Sequence, residues 1–365
     1  MEKTKIQKVF SLLLQQWLLV AMGIACALAY CFPSVAKHGG IIRSQYSILY
    51  GVVGVMFLIG GLSIPHDKIG RQMQNWRLHL LVQGISFLLV PALMRAVIAI
   101  ILRASASSAS STSSTSSASI DPSVLAGYTL TACIPTTIAS NVVMTRAAGG
   151  DDAAALVEVL IANLLGPFIT APWTLVLLPH TSEFTTWRDG AGSSLTAMYA
   201  SVFKQLGLSV LLPLVVGQFV RWKWPEQTER AVARFKLSKV ASAGMALLVW
   251  TSFSSIFATN AIQKLSAASI VFTVLFNILL YLVLTAVCFF AADPLLSPEE
   301  TIAVCFCGPA KSTALGIPLL YAMWAPLDLE IKAKTSIPVL LYTTEQICVA
   351  NLLVHVFKRY RKKSG

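Results

Sequence analysis

The feature that most constrains this chain is the recurrence of long apolar stretches separated by breakers. Ten windows stand out, at 12–32, 46–64, 76–102, 124–148, 151–178, 195–220, 238–258, 266–291, 299–323 and 333–357. Each is near the roughly 20 residues that a helix needs to cross a bilayer. Hydrocarbon offers backbone N–H and C=O groups no partner, so such spans must satisfy their own hydrogen bonds as helices. The expected fold class is therefore an all-α integral membrane protein with the lipid bilayer as its solvent. Composition agrees, with 56% hydrophobic and 12% charged residues over 365, where soluble domains carry about 25% charge. The seven cysteines fall in apolar surroundings and read as small buried hydrophobes, not as a disulfide framework.

Ten spans put both termini on one side. Connections on that side carry eighteen Lys and Arg, among them the loop Arg221 to Lys239 and the tail Lys358 to Lys363, against seven on the other. The positive-inside bias then places both termini in the cytosol. The net charge of +12 is explained by these flanks; no basic stripe is interleaved with aromatics, and no nucleic-acid partner is expected. The basic start, Met1 to Phe10, precedes an apolar run too long for a signal h-region, so that run counts as the first span. Ala104 to Ser119 is almost pure Ser, Thr and Ala and is expected to be a disordered loop on the non-cytosolic side. The organisation that follows is a first five-span half over 1–178, a second over 195–357 and a basic cytosolic tail over 358–365.

Two windows share an unusual polar pattern. The fourth contains Cys133-Ile-Pro135-Thr136-Thr137 followed by Ser140, Asn141 and Thr145, and the ninth contains Cys307-Gly-Pro309-Ala-Lys311-Ser312-Thr313. Each is the fourth span of five. Because five is odd, two related halves must insert with opposite topology, the inverted-repeat logic of secondary carriers. Proline removes a backbone N–H and crowds the carbonyl one turn back, so both helices should break at mid-membrane. Freed backbone at that depth is tolerated only inside protein or beside a wet cavity. The candidate binding site is thus formed by Thr136, Thr137, Ser140, Asn141, Thr145, Lys311, Ser312 and Thr313.

Lys311 is the sharpest residue of this set, since a Lys at the centre of a span costs at least about 2.5–3.5 kcal/mol and needs a partner. Glu158 in the fifth span and Glu345 in the tenth are the expected partners. The pair could be purely structural, or the ammonium could stand where a cation would bind or take part in proton coupling. Gln346, Gln83 and Asn163 either line the cavity or bridge helices. Asp151 and Asp152 open the fifth span and are expected to cap it.

On these residues the sequence resembles the bile acid:sodium symporter family, in the branch of its seventh member and the fungal calcium-homeostasis relatives. The resemblance rests on Ala139-Ser140-Asn141-Val-Val-Met-Thr145, on Gly60-Gly61-Leu62-Ser63-Ile64, and on Lys311-Ser312-Thr-Ala-Leu315-Gly316-Ile317-Pro318. It implies ten helices in two inverted five-helix repeats. Broken helices 4 and 9 would cross in a core domain beside a panel of helices 1, 2, 6 and 7, with alternating access by movement of one against the other. Ser140 and Asn141 match sodium-holding residues of sodium-coupled members. Lys311, however, stands where those members carry an acid, and Ala155 and Val159 stand where they offer hydroxyls. This speaks against sodium coupling and bile-acid transport, and no cofactor is expected. The resemblance implies a transporter, or a transporter-derived regulator of cytosolic calcium, with an unidentified small-molecule or ion substrate. The alternative is a non-transporting membrane protein that limits calcium influx through a partner channel, contacted by the basic loop and tail. No channel-filter signature occurs. The five histidines have no metal-ligand spacing and no nucleophile motif accompanies them, so neither an enzyme nor a metal site is expected. Plasma membrane is the expected location; the ending Lys362-Lys363-Ser-Gly resembles a dilysine retrieval signal and gives endoplasmic reticulum or Golgi as the alternative.

Overall fold

The computed structural model of the protein describes residues 17–37, 39–63, 71–109, 120–137, 139–192, 204, 207–258, 263 and 265–364. The basic start, the first residues of the sixth window and most of the Ser-rich stretch lie outside the described residues. Among those described, every regular element is helical. In order, α1 is Trp17–Cys31 and α2 is Val53–Ser63, the latter entered through a π-turn at Ser47–Val52. α3 (Trp76–Gly84) runs through a π-turn, Ile85–Leu89, into α4 (Val90–Ala109). α5 (Pro122–Cys133) and α6 (Ala139–Ala148) are the halves of a broken helix, and α7 (Asp152–Leu177) follows. After a short surface helix, α8 (Thr185–Gly192), come α9 (Leu212–Lys223), α10 (Pro225–Arg234) and α11 (Leu237–Ala258). α12 (Ala267–Ala292) leads to a second broken pair, α13 (Pro298–Cys307) and α14 (Thr313–Met323), and then to α15 (Leu329–Ser364).

Helices Trp76–Ser105, Asp152–Leu177, Ala267–Ala292 and Leu329–Lys363 are long and apolar enough to cross a membrane, and the chain is an integral membrane protein on that footing. One expectation is corrected. The Ser-rich stretch does not leave the helix at Ala104, because α4 continues to Ala109. Extending a formed helix adds a hydrogen bond per residue without a new nucleus, and alanine has the best helix propensity.

Local chemistry sets the ends. Asp121 caps α5 through the Ser123 N–H at 2.8 Å, with Pro122 in the first turn. Ser297 and Glu300 form a reciprocal capping box ahead of Pro298. Asp151 caps α7, accepting from the N–H groups of Ala153 and Ala154, whereas Asp152 pairs instead with Arg146 at 2.6 Å.

Packing sorts the helices into two groups. In one, α1 lies on α11 and α2 on α9. A methyl at Gly61 would stand 2.6 Å from the Leu214 carbonyl, and one at Gly217 2.5 Å from that of Leu58, so the α2 and α9 backbones touch where only glycine fits. In the other group α15 packs on α5, α12 and α6, and α13 on α12 and α7. α11 bridges the groups through α15, α6 and α14.

The connections gather at two ends. At one, Gln72 donates to Asp151 at 3.0 Å, Asn75 to Glu300 at 2.8 Å, and the Asp151 N–H to the Glu299 carbonyl at 3.0 Å, with Arg361 bonded to Glu299. At the other, the Asp121 N–H donates to Ser269, Trp187 to Thr335 at 3.0 Å, and Trp324 to the Trp187 carbonyl at 2.9 Å.

Candidate functional site

The two breaks meet. Ile134 turns extended after α5, Ser312 is extended before α14, and the Ser312 N–H donates to the Pro135 carbonyl at 2.8 Å. Close approach is possible because neighbouring helices lack side chains there: a methyl at Gly166 would stand 2.7 Å from the Pro135 ring, and one at Gly316 2.8 Å from Ile134.

Lys311 lies between the breaks, 1% exposed. Its ammonium is surrounded by the carbonyls of Ser86 and Ala132 at 2.9 Å, the carbonyl of Ile134 at 3.1 Å and the Ser86 hydroxyl at 3.1 Å. Each acceptor has a physical origin. Ala132 and Ile134 end α5, where unpaired carbonyls and the negative end of the helix dipole coincide. At Ser86 the π-turn directs the Val90 N–H to the Ile85 carbonyl, and the next residue, Pro91, has no N–H to offer. The Ser86 carbonyl is therefore left for Lys311.

α15 clasps the second break from the side. Gln346 accepts from the Lys311 N–H and donates to its carbonyl, both at 2.9 Å, Thr343 donates to that carbonyl at 3.2 Å, and Tyr342 donates to the Pro309 carbonyl at 2.7 Å. Gln346 is thus a backbone clamp on the Lys311 segment.

The first break ends in a buried knot at the start of α6. Thr137 bonds Ser140 at 2.5 Å and Asn141 at 3.0 Å, and Asn141 donates to Thr136 at 2.5 Å. Asn163 ties this knot to α7, donating to the Thr136 carbonyl at 3.0 Å and that of Val159 at 2.7 Å. The Oδ1 of Asn163 and the hydroxyl of Thr145 are buried without a protein partner. Ser312 and Thr313 are buried beside Lys311, so the two breaks bring most of the expected residues into one region.

The expected carboxylate partners of Lys311 are a correction. Glu158 is fully buried but held by His79 and by Gln83, which donates to its Oε2 at 2.8 Å. Glu345 is partly buried and faces Asn277 on α12. Main-chain carbonyls and a helix end satisfy the ammonium without the desolvation of a carboxylate beside it. Sequence reasoning missed His79 and Ser86. The available signal was the spacing His79, Gln83, Ser86, which places three polar side chains on one face of an apolar helix.

Helices long and apolar enough to cross a membrane, two broken helices that meet through main chain, and a lysine buried where they meet are features of a membrane transporter. A model of the SBF-like CPA transporter family matches residues 16–359, and the chain belongs to that family. It is 36% identical to the solute carrier RCH1 of Candida albicans, over 97% of this chain and 90% of that protein. It is 32% identical to the solute carrier RCH1 of Saccharomyces cerevisiae, over 96% and 85%. With the sodium/bile acid cotransporter 7 of Mus musculus it shares 28% identity, over 95% and 93%. These relatives carry the names of carriers, not of enzymes.

Proposed function

We propose that the chain is an alternating-access solute carrier that restrains cytosolic calcium, with Lys311 as a built-in replacement for a coupling cation. The observation that carries this reading is the cage of three carbonyls and one hydroxyl around the Lys311 ammonium at the end of α5. Carbonyls at a broken helix are the groups that hold sodium ions in carriers of this architecture. Here a covalently attached cation fills that place, so sodium is not the driving ion. The small solute binds beside the cage, on the side lined by Thr136, Thr137, Ser140, Asn141, Thr145, Ser312 and Thr313, with Gln346 fixing the second break.

The carrier reading includes two inverted five-helix repeats, over 1–178 and 195–357, followed by the tail at 358–365. Packing supports it, because contacts map onto one another when the halves are exchanged. α1 on α11 corresponds to α9 on α2, α5 on α15 to α13 on α7, and α4 on α5 to α12 on α13. The group of α1, α2, α9 and α11 is the panel against which the rest moves. Both termini are cytosolic and the membrane is the plasma membrane. The alternative, a regulator without transport that acts on a calcium channel, has no observation in its favour.

Cells lacking the protein should show a larger cytosolic calcium rise after external calcium is added, and re-expression of the wild type should restore it. Lys311→Ala, present at equal surface level, should fail to do so. Full restoration by Lys311→Ala removes the role given to the ammonium. An unchanged calcium record in cells lacking the protein removes the calcium assignment.

A further inference from the structure

α3 carries His79, Gln83 and Ser86 at spacings of four and three residues, a polar line on one face of the helix. Both ends of the line are occupied. At the inner end Ser86 holds the Lys311 ammonium through its carbonyl at 2.9 Å and its hydroxyl at 3.1 Å. At the outer end His79 and Gln83 close on Glu158 of α7. His79 Nδ1 touches Oε1, and the Gln83 amide donates to Oε2 at 2.8 Å and to the Glu158 carbonyl at 3.1 Å. The Glu158 side chain is fully buried, while that of His79 is 19% exposed. The pair therefore joins a fully buried carboxyl to a ring that is partly exposed.

A buried carboxylate is costly unless it is paired or neutralised. The hydrogen bond between Nδ1 and Oε1 needs one proton between them, and the pair is neutral overall only when Nε2 carries a second. Two further atoms of the cluster, His79 Nε2 and Gln83 Oε1, are buried without a protein partner. Nε2 is the position at which a neutral imidazole tied by Nδ1 takes up or gives back a proton.

Besides Arg77 on α3, Tyr128 on α5 and Cys305, Glu299 and Glu300 on α13, the helices packed against α7 carry the following other titratable groups. α13 brings Cys307, whose thiol donates to the Ala155 carbonyl. α6 brings Arg146, engaged with Asp152 at the entrance of α7, and α5 brings buried Cys133. α14 contributes Tyr321, which is bonded to Ser255. α4 contributes Arg95 and Arg103, further along the helix that begins at Trp76. Lys311 lies beyond Gln83 and Ser86. No Lys or Arg touches the Glu158 carboxyl among the described residues.

We propose that His79 and Glu158 form an intramembrane proton-exchange site, linked through Gln83 and Ser86 to the Lys311 cage, and that solute movement is coupled to protons through it. Only the coupling rests on the carrier reading above; the proton site does not. With only the shared proton the pair carries one negative charge; a proton taken up at His79 Nε2 makes it neutral, as imidazolium with carboxylate or imidazole with carboxylic acid, and its release restores the charge. No bond other than N–H or O–H is made or broken.

Infrared difference spectra of the purified full-length protein in lipid, recorded across pH in H2O and D2O, read this directly. A protonated-carboxyl stretching band should change with pH, be lost in Glu158→Gln, and shift its midpoint by about one pH unit or more in His79→Gln. Glu345 can add a second band, and the Glu158→Gln difference separates them. Absence of a band that Glu158→Gln removes overturns the site. If that variant does not fold, an unmoved midpoint in His79→Gln overturns it. In the calcium assay, Glu158→Gln should fail like Lys311→Ala, and full restoration removes the coupling. A titrating Glu158 band with full calcium restoration by Glu158→Gln keeps the proton site and removes only its coupling, whereas a phenotype without the band defeats the proton site alone.

Discussion

At the scale of residues, the Lys311 cage makes a demand that can be tested without knowing the solute. Truncation to Ala leaves three carbonyls and a hydroxyl facing a hole at the negative end of α5. Each buried acceptor left unmade costs about 1–3 kcal/mol. A small cation fits such a hole, and binding to the folded state alone raises stability. Lys311→Ala should therefore unfold several degrees lower than wild type in choline chloride and recover part of that loss in sodium or potassium chloride. Wild type should unfold at the same temperature in all three. Fluorescence-monitored thermal unfolding of both proteins decides it, and an equal loss in every salt means that the cage is not a cation site. The place of this site is legible in the sequence, from Pro135, Pro309 and an unexplained Lys at mid-span. Its partners are not. Side-chain types point to Glu158 and Glu345, whereas three of the four oxygens that hold the ammonium belong to the main chain of Ser86, Ala132 and Ile134, and main chain looks the same at every position. For His79 the spacing to Gln83 and Ser86 marks a polar face, but its partner Glu158 lies on another helix, which local spacing cannot name.

At the scale of elements, the described parts of the apolar windows are largely helical, and four helices are long and apolar enough to cross a membrane, because length and hydropathy decide helix formation in lipid. What windows do not reveal is where a helix changes its winding. The π-turn at Ile85–Leu89 precedes Pro91 and supplies the carbonyl that Lys311 uses, and a proline in the window marks the disturbance without giving its form. The amphipathic helix Pro225–Arg234, in a connection read only for its charge, is likewise a matter of periodicity below the span scale. Close helix crossings are more legible. The pair Gly60-Gly61 is conspicuous in the second window, and its counterpart is Gly217, whose Cα lies 3.1 Å from where a Gly61 methyl would sit. Gly61→Ala and Gly217→Ala should each destabilise by about 1–3 kcal/mol, since both force a methyl against backbone that cannot rotate away. Because both variants open the same crossing, the double variant should cost clearly less than the two losses added. Gly23, with nothing within 4 Å of its added methyl, is the control and should lose nothing. Thermal unfolding in one detergent for all four variants gives the answer, and strict additivity at 61 and 217 would mean that the two glycines serve separate contacts.

At the scale of the whole molecule, the two sets of end contacts bear on how many times the chain crosses the membrane. Residues 71–75, Asp151, Glu299, Glu300 and Arg361 meet at one end, while Asp121, Trp187, Ser269, Trp324 and Thr335 meet at the other. Successive connections among the described residues thus alternate between ends, as helices that cross in series require. Arg221 belongs to the first end, donating to the Leu62 carbonyl at 3.2 Å, and so brings the basic Arg221 to Lys239 segment to the side of the basic tail. On the positive-inside bias we propose that this side is cytosolic. The chain contains no Asn-x-Ser/Thr sequence, so an introduced glycan acceptor reports its side without background. Ser113→Asn creates an acceptor with Thr115 in the Ser-rich stretch, Glu226→Asn one with Thr228, and Lys362→Asn one with Ser364. Expressed in yeast, only Ser113→Asn should gain mass that an endoglycosidase removes. Glycans on Glu226→Asn and Lys362→Asn with none on Ser113→Asn would reverse the orientation. A glycan at Ser113→Asn together with one at Lys362→Asn would make the crossings between them even in number, and two inverted repeats of five spans could not then be maintained.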